Sequence, residues 1–565
     1  MSEGRTLAPQ RPELVTDGVP RPASRWLEMV ASTDHKDIGR MFIGASLSFL
    51  VLGLVGYLLM RLQLVVPENT LIEPVTFNRL LSVSTASLVA LFALPFAIGL
   101  YTYVVPLQLG ARGVAFPRIA SLALWLYVAG GAILYVSFVY TPPETGFSNW
   151  PPLSDDIFTS NNGPDVWITG VGLTVLGLVL QAINLAVTVS KLRAPGLAWR
   201  RLPTFSFSAA VSSWVLIVAG SAMLAALTML MMDRQFNGVF FNSGEGGAPV
   251  YYQHLSWIFF SGCYLLFLLP AIGAISEILP TLSGKPLLSR AAVMGSMALV
   301  GVLGLLAWMQ NMFTASIPVG WLYMAMAAAL LLAVPLGVIF VNWITTLMGG
   351  AIRLRAPMLF ALGAISTLSF GLGGELFHSV IPVNWLLADT TDATACTGYV
   401  LVGGPILGGF AALHYWFPKM TGRTMGETLA RLSLTLIIIG AHLTFIPLFL
   451  AGLEGQPVDV YKYFDVDNLD LYNLLATIGA FVLAAGIVVT LVNALASVKN
   501  GARAGHDPWA GETLEWFAPS PPPPHNFDVV PDIRSDEPLR DIREAVRRRE
   551  RASEAQPAER SEPVA

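Results

Sequence analysis

Runs of twenty or more apolar residues recur along this chain with short polar segments between them, and this repeat sets the fold. A hydrocarbon layer of about 30 Å is crossed by roughly 20 helical residues. Twelve runs predict spanning helices near 41–61, 83–106, 118–140, 165–190, 206–232, 252–280, 290–313, 318–348, 355–378, 394–417, 427–452 and 470–497. Only helices satisfy their own backbone polar groups within one such segment, so the fold class is an all-α membrane bundle. The first forty residues are polar and contain proline, which predicts no cleavable signal peptide. Beyond Ala502 the chain carries Ser520-Pro521-Pro522-Pro523-Pro524 and a charged stretch around Arg540–Arg551, which predicts an extended, solvated tail, disordered or briefly helical. The expected organisation is an N-terminal segment 1–40, a membrane domain 41–497 and a tail 498–565.

Composition agrees. Of 565 residues, 54% are hydrophobic and 12% charged, which excludes an ordinary soluble globule and makes membrane lipid the first partner. Nothing points to nucleic acid. The net charge of −4 matters less than where the charges fall. Arg112, Arg118, Lys191, Arg200, Lys285, Arg290, Arg353, Lys419, Arg431 and Lys499 occupy every second loop or the tail, while Asp155, Asp165, Glu245, Asp389, Glu454 and Asp465 occupy the alternate ones. The positive-inside rule then predicts a multi-pass plasma (inner) membrane protein with both termini cytoplasmic. Cys263 and Cys396 both lie in apolar runs, so no disulfide framework is indicated.

Landmarks spread over nearly the whole chain add a family. They include Thr33-Asp34-His35-Lys36-Asp37-Ile38-Gly39, Val105-Pro106-Leu107-Gln108-Leu109-Gly110, Asp233-Arg234, Tyr252-Gln253-His254, Tyr415-Trp416-Phe417-Pro418-Lys419 and Thr513-Leu514-Glu515-Trp516. In this order and spacing the chain resembles subunit I of the haem-copper terminal oxidases, such as cytochrome c oxidase. The resemblance implies a twelve-helix subunit holding two haems and a copper ion, with six histidines as ligands. Imidazole suits both metals, and the axial ligand sets what the iron does.

The six corresponding positions carry other residues. The first low-spin haem ligand corresponds to Ser84, and the two helix-ten haem ligands to Cys396 and Gly398. The copper ligands correspond to Ser261 and to Gln310-Asn311. A different register cannot restore them: of the seven histidines, His35, His506 and His525 lie in polar end segments, His254 and His414 stand where the resemblance implies non-ligand histidines, and only His378 and His442 remain. Neutral Ser, Gln and Asn are poor ligands beside imidazole or thiolate. Other family features are also replaced, at Arg112-Gly113 for the proton-uptake aspartate, Ile339 and Leu336 for a pathway lysine and threonine, and Val458-Asp459 for the propionate arginines.

The expectation drawn from this shortage is a catalytically inactive relative, a pseudoenzyme without haem or copper and with no catalytic residue to name. It would serve as a structural, assembly or regulatory subunit of a respiratory complex, beside oxidase subunits II and III or an intact subunit I. Two alternatives are an active terminal oxidase with non-standard ligands and a carrier or channel using the vacated haem pocket. Cys396 is read as a small buried apolar residue, a Cys263–Cys396 bond is conceivable, and His442 is read as a hydrogen-bonded packing residue. Glu277, Glu375, Asp389 and Asp392 are expected at interfaces or in loops. Because Gly398, Ser84, Ser261 and Ala388 are small, the volume of two porphyrins must collapse, hydrate or take another ligand.

Overall fold

A computed structural model describes residues 25–555 apart from 316 and 532. The short helix Arg25–Val30 lies in a separate compact unit that ends at Ser32, and the second unit begins at Thr33. Among the described residues of that second unit, twelve helices are long and apolar enough to cross a membrane. They are α1 (His35–Gln63), α2 (Pro74–Gln108), α3 (Pro117–Val139), α4 (Gly163–Lys191), α5 (Thr204–Phe236) and α6 (Pro249–Ser283). The remainder are α7 (Arg290–Met312), α8 (Val319–Leu347), α9 (Ala356–His378), α10 (Thr391–Thr421), α11 (Glu427–Leu453) and α12 (Leu469–Asn500). The expected all-α, twelve-span architecture is therefore present, with each expected run inside or overlapping one helix.

Local chemistry sets the helix ends. Asp34 caps α1 by accepting from Lys36 N at 2.9 Å, which starts that helix ahead of its apolar run. Pro74 opens α2 at a position where its missing N–H leaves no bond unmade, so the polar turn Phe77-Asn78-Arg79 is already helical. Gly284 and Gly422 close α6 and α10 with φ of +65° and +74°, a backbone state that glycine adopts without strain.

α2 and α10 each contain a π-helical stretch, Ser87–Ala93 and Val402–Gly408. Pro95 cannot bond to the carbonyl one turn before it. That carbonyl, Leu91 O, accepts instead from Tyr127 Oη of α3 at 2.7 Å. Pro405 stands inside the second π stretch. Such widened turns survive in an apolar bundle when neighbouring helices satisfy the freed groups. Between α11 and α12, a Cβ on Gly440 would overlap the Leu483 backbone and one on Gly479 the Thr444 backbone, so these small residues permit close helix contact. Outward positions carry Val55, Trp214, Val302, Val341 and Ile439, all exposed and apolar, as contact with lipid requires.

The tail departs from expectation. Trp509, Leu514, Trp516 and Ile533 are buried, and the segment is bonded to the helix ends rather than solvated. Trp509 Nε1 donates to Tyr415 O at 2.8 Å, Lys419 Nζ to Ala518 O at 2.8 Å, and Asn526 Nδ2 to Ala111 O at 2.8 Å. Widely spaced aromatic and aliphatic anchors outweigh the proline-rich composition. The chain then forms a charged helix, Pro538–Ala555.

Candidate functional site

A polar constellation is built where α9, α10 and α6 meet. Glu375 and His378 stand three residues apart at the end of α9, and Asp392 and Cys396 four apart at the start of α10, spacings that put each pair on one helix face. The turn between the helices is fixed by Asn384 Nδ2, which donates to His378 O at 2.9 Å, and by Val458 N, which donates to Asp389 O at 3.0 Å. Thr391 N donates to Gln456 O at 3.0 Å and its hydroxyl to Leu448 O at 2.9 Å, seating the first turn of α10 against α11.

His378 Nε2 lies 2.7 Å from Asp392 Oδ2, and Cys396 Sγ lies 3.9 Å from Asp392 Oδ1. One ligand-type atom from each of the three residues falls within 4.8 Å of the others, and all three residues are buried. A Cβ on Gly374 would overlap Cys396 Sγ, so the thiol occupies a recess that only glycine leaves open. Beside this cluster, among half-buried side chains, Tyr264 Oη bridges Glu375 Oε1 at 2.5 Å and Thr397 Oγ1 at 2.8 Å. Buried ionisable groups such as His378 and Asp392 are costly and persist mainly where they are used.

The six positions marked by the resemblance are placed as follows. Ser84 is buried on α2, with its hydroxyl in space that Gly56 of α1 leaves free. Ser261 Oγ accepts from Asn311 Nδ2 at 3.1 Å, and Gln310 Oε1 accepts from Ser379 Oγ at 3.4 Å. Gly398 faces the ring of Phe445, which a Cβ at 398 would overlap. Around that ring, Tyr399 Oη is 2.9 Å from His442 Nδ1 and Tyr399 stacks on Phe370. Cys396 alone among the six joins the constellation. As a ligand set for haem and copper in the family's manner the six do not fit: glycine offers no donor, and the Ser261 and Asn311 side chains are engaged with each other.

Several expectations change. Asp392, in the first turn of α10, and Glu277, near the end of α6, are buried within the protein, Glu277 accepting from Thr204 Oγ1 at 2.8 Å, and Asp389 is exposed in a loop. Cys263 and Cys396 are both free thiols. Sequence reasoning missed His378, Asp392, Glu375, Tyr264 and Thr397 as a group, because they come from three helices. The paired spacings 375/378 and 392/396 were the available signal. A separate cavity of about 240 Å³ is lined by Glu277, Thr281, Arg290, Glu512 and Glu537.

Comparison with known proteins gives the lineage. Residues 37–482 match the family described as cytochrome C and quinol oxidase polypeptide I. The chain is 34% identical over 517 residues to cytochrome c oxidase subunit 1 of Bacillus subtilis (strain 168), covering 91% of this chain and 82% of that one. It is 35% identical to cytochrome c oxidase subunit 1 of Thermostichus vulcanus, covering 90% and 92%. It is 34% identical to the heme-copper oxidase subunit I+III of Aeropyrum pernix, covering 91% of this chain and 62% of that longer one. A heme-copper terminal oxidase dimer solved by cryo-electron microscopy shares the fold, with a TM-score of 0.69 at 17% identity over 83% of this chain and 84% of that one.

These matches overturn two expectations. Neither the absence of enzymatic activity nor the absence of haem and copper stands against relatives that carry an oxidase name at 34% and 35% identity over nine-tenths of the chain, and the pseudoenzyme reading has no support. The physical reason is that counting imidazoles at six positions excludes one ligand set and leaves every other donor open, including the buried histidine, carboxylate and thiol described above.

Proposed function

The chain belongs to the cytochrome c and quinol oxidase polypeptide I family, and from that premise we propose that it works in a terminal oxidase that passes electrons to oxygen, with non-standard ligands. The constellation of Tyr264, Glu375, His378, Asp392, Cys396 and Thr397, in which His378, Asp392 and Cys396 are buried, carries this reading. Tyr264, Cys396 and Thr397 fall in the stretches around 260–265 and 396–398 that the resemblance marks, and His378, Asp392 and Cys396 are ionisable groups whose burial needs a use. In this reading Ser84, Ser261, Gln310, Asn311 and Gly398 are vestigial ligand positions with packing and hydrogen-bonding roles, and no reaction step is drawn through haem or copper at them.

The subunit sits in the plasma membrane beside oxidase subunits II and III. Its termini, 1–40 and 498–565, are cytoplasmic and flank the membrane domain 41–497, a placement supported by the alternation of basic and acidic loops. The test is oxygen uptake, with reduced cytochrome c or quinol as donor, by the complex purified through a tag on this chain from cells lacking other subunit I chains. Uptake above that of a preparation without the chain supports the reading, and a pure complex with none refutes it.

A further inference from the structure

We infer that His378, Asp392 and Cys396 form a binding site for one divalent transition ion of the zinc class. The site uses three residues of the constellation that carries the oxidase reading, and its test fails separately from that reading, since metal content is measured without turnover. Three features carry it: three different donor types converge, all are buried, and Gly374 leaves a recess for the thiol.

The donors are an imidazole nitrogen, a carboxylate oxygen and a thiol sulfur, and these atoms already lie within 4.8 Å of one another. Ligands at about 2.1 Å around a tetrahedral ion stand about 3.4 Å apart. Binding therefore needs the 2.7 Å contact between His378 Nε2 and Asp392 Oδ2 to open by less than about 1 Å, and donor pairs that stand as far as 4.8 Å apart to close by up to about 1.4 Å. Hard ions such as magnesium and calcium prefer all-oxygen shells, whereas a mixed nitrogen, oxygen and sulfur set suits a borderline ion.

Supporting contacts surround the donors. Asn384 ties down the His378 carbonyl, Thr391 anchors the turn that carries Asp392, and the Glu375–Tyr264–Thr397 chain lies beside the thiol. Metal-ligating side chains need such an outer shell to hold their orientation. Three protein ligands leave a fourth position for water or another small ligand, as in zinc sites that do chemistry. Binding releases the thiol proton to solvent, so affinity rises with pH.

The test uses the full chain in the complex with which it purifies, stripped with chelator and titrated with Co²⁺ as a spectroscopic probe and Zn²⁺ as competitor. Wild type should take up one Co²⁺ per chain with a thiolate-to-cobalt charge-transfer band, and Zn²⁺ should abolish that band. Cys396→Ser, nearly isosteric, should lose the band. His378→Gln and Asp392→Asn should each weaken binding by at least about 100-fold, beyond the usual effect of an outer-shell change. Gly374→Ala, which removes no donor but fills the recess, should weaken binding as well. Cys263→Ser should keep the band. A wild-type protein that takes up no Co²⁺, or a band that survives in Cys396→Ser, would overturn the assignment.

Discussion

Glu515 makes the pH dependence of this fold predictable. It lies in the tail, fully buried, and its Oε1 accepts from Gln108 Nε2 and Trp416 Nε1, both at 3.1 Å. Burial, reinforced by the nearby Glu277 carboxylate, raises its pKa from 4.5 to about 7. Between these values the folded chain holds a proton that the unfolded chain has released. Stability must therefore fall as pH rises through the window, then level off above the folded pKa. At about 1.4 kcal/mol per pKa unit the loss approaches about 3 kcal/mol. Glu515→Gln keeps an acceptor oxygen for Gln108 and Trp416 but cannot ionise. Unfolding in detergent micelles, followed by tryptophan fluorescence from pH 4.5 to 8, should show wild type losing stability relative to the variant by roughly that amount. Two parallel profiles would refute the reasoning. Glu512 is likewise raised to about 7 by burial and by the Glu537 carboxylate, so only the difference between the proteins isolates Glu515.

Three further outcomes follow from the packing. Tyr127→Phe removes the donor to Leu91 O and should destabilise α2 by about 1–3 kcal/mol, read as faster amide exchange around 87–95 and a lower unfolding midpoint. Arg234 bonds both Asp165 oxygens at 2.8 and 2.9 Å and the carbonyls of Ser154, Thr159 and Asn161. Arg234→Ala should cost about 3–5 kcal/mol and open the 141–162 loop to limited proteolysis. Gly398→Ala should destabilise by about 1–3 kcal/mol through overlap with Phe445, with part of that loss recovered when Phe445 is also cut to Ala. Effects that add to within about 0.5 kcal/mol would dismiss the contact.

The membrane helices were legible because a long, nearly uncharged apolar run is stable in few settings besides a bilayer. Their ends were less so: α2 begins at Pro74, ahead of the expected 83, since a proline at the first turn extends a helix through polar residues that hydropathy discounts. The π stretches leave no periodic signal, because what permits the one in α2 is a hydroxyl on another helix, Tyr127. The burial of the tail was hidden because Trp509 and Trp516 lie apart within a proline-rich background. At the site, the six substituted positions were visible by register, while the constellation was not. Glu375 and His378 meet Asp392 and Cys396 only through the turn that Asn384 and Val458 hold, and no local pattern announces that meeting. Reasoning from the six positions had no purchase on the donors that this turn brings together.

The family's fold is kept, and the proposed oxidase activity gives Ser84, Ser261, Gln310 and Asn311 packing and hydrogen-bonding roles alone. Oxygen uptake by the purified complex, compared with a version carrying Ser84→Ala, Ser261→Ala, Gln310→Ala and Asn311→Ala together, tests this central claim most directly. The account predicts measurable uptake in the parent complex and a rate within about twofold of it in the quadruple variant. A parent complex that consumes no oxygen, or a variant in which uptake is abolished, would contradict it.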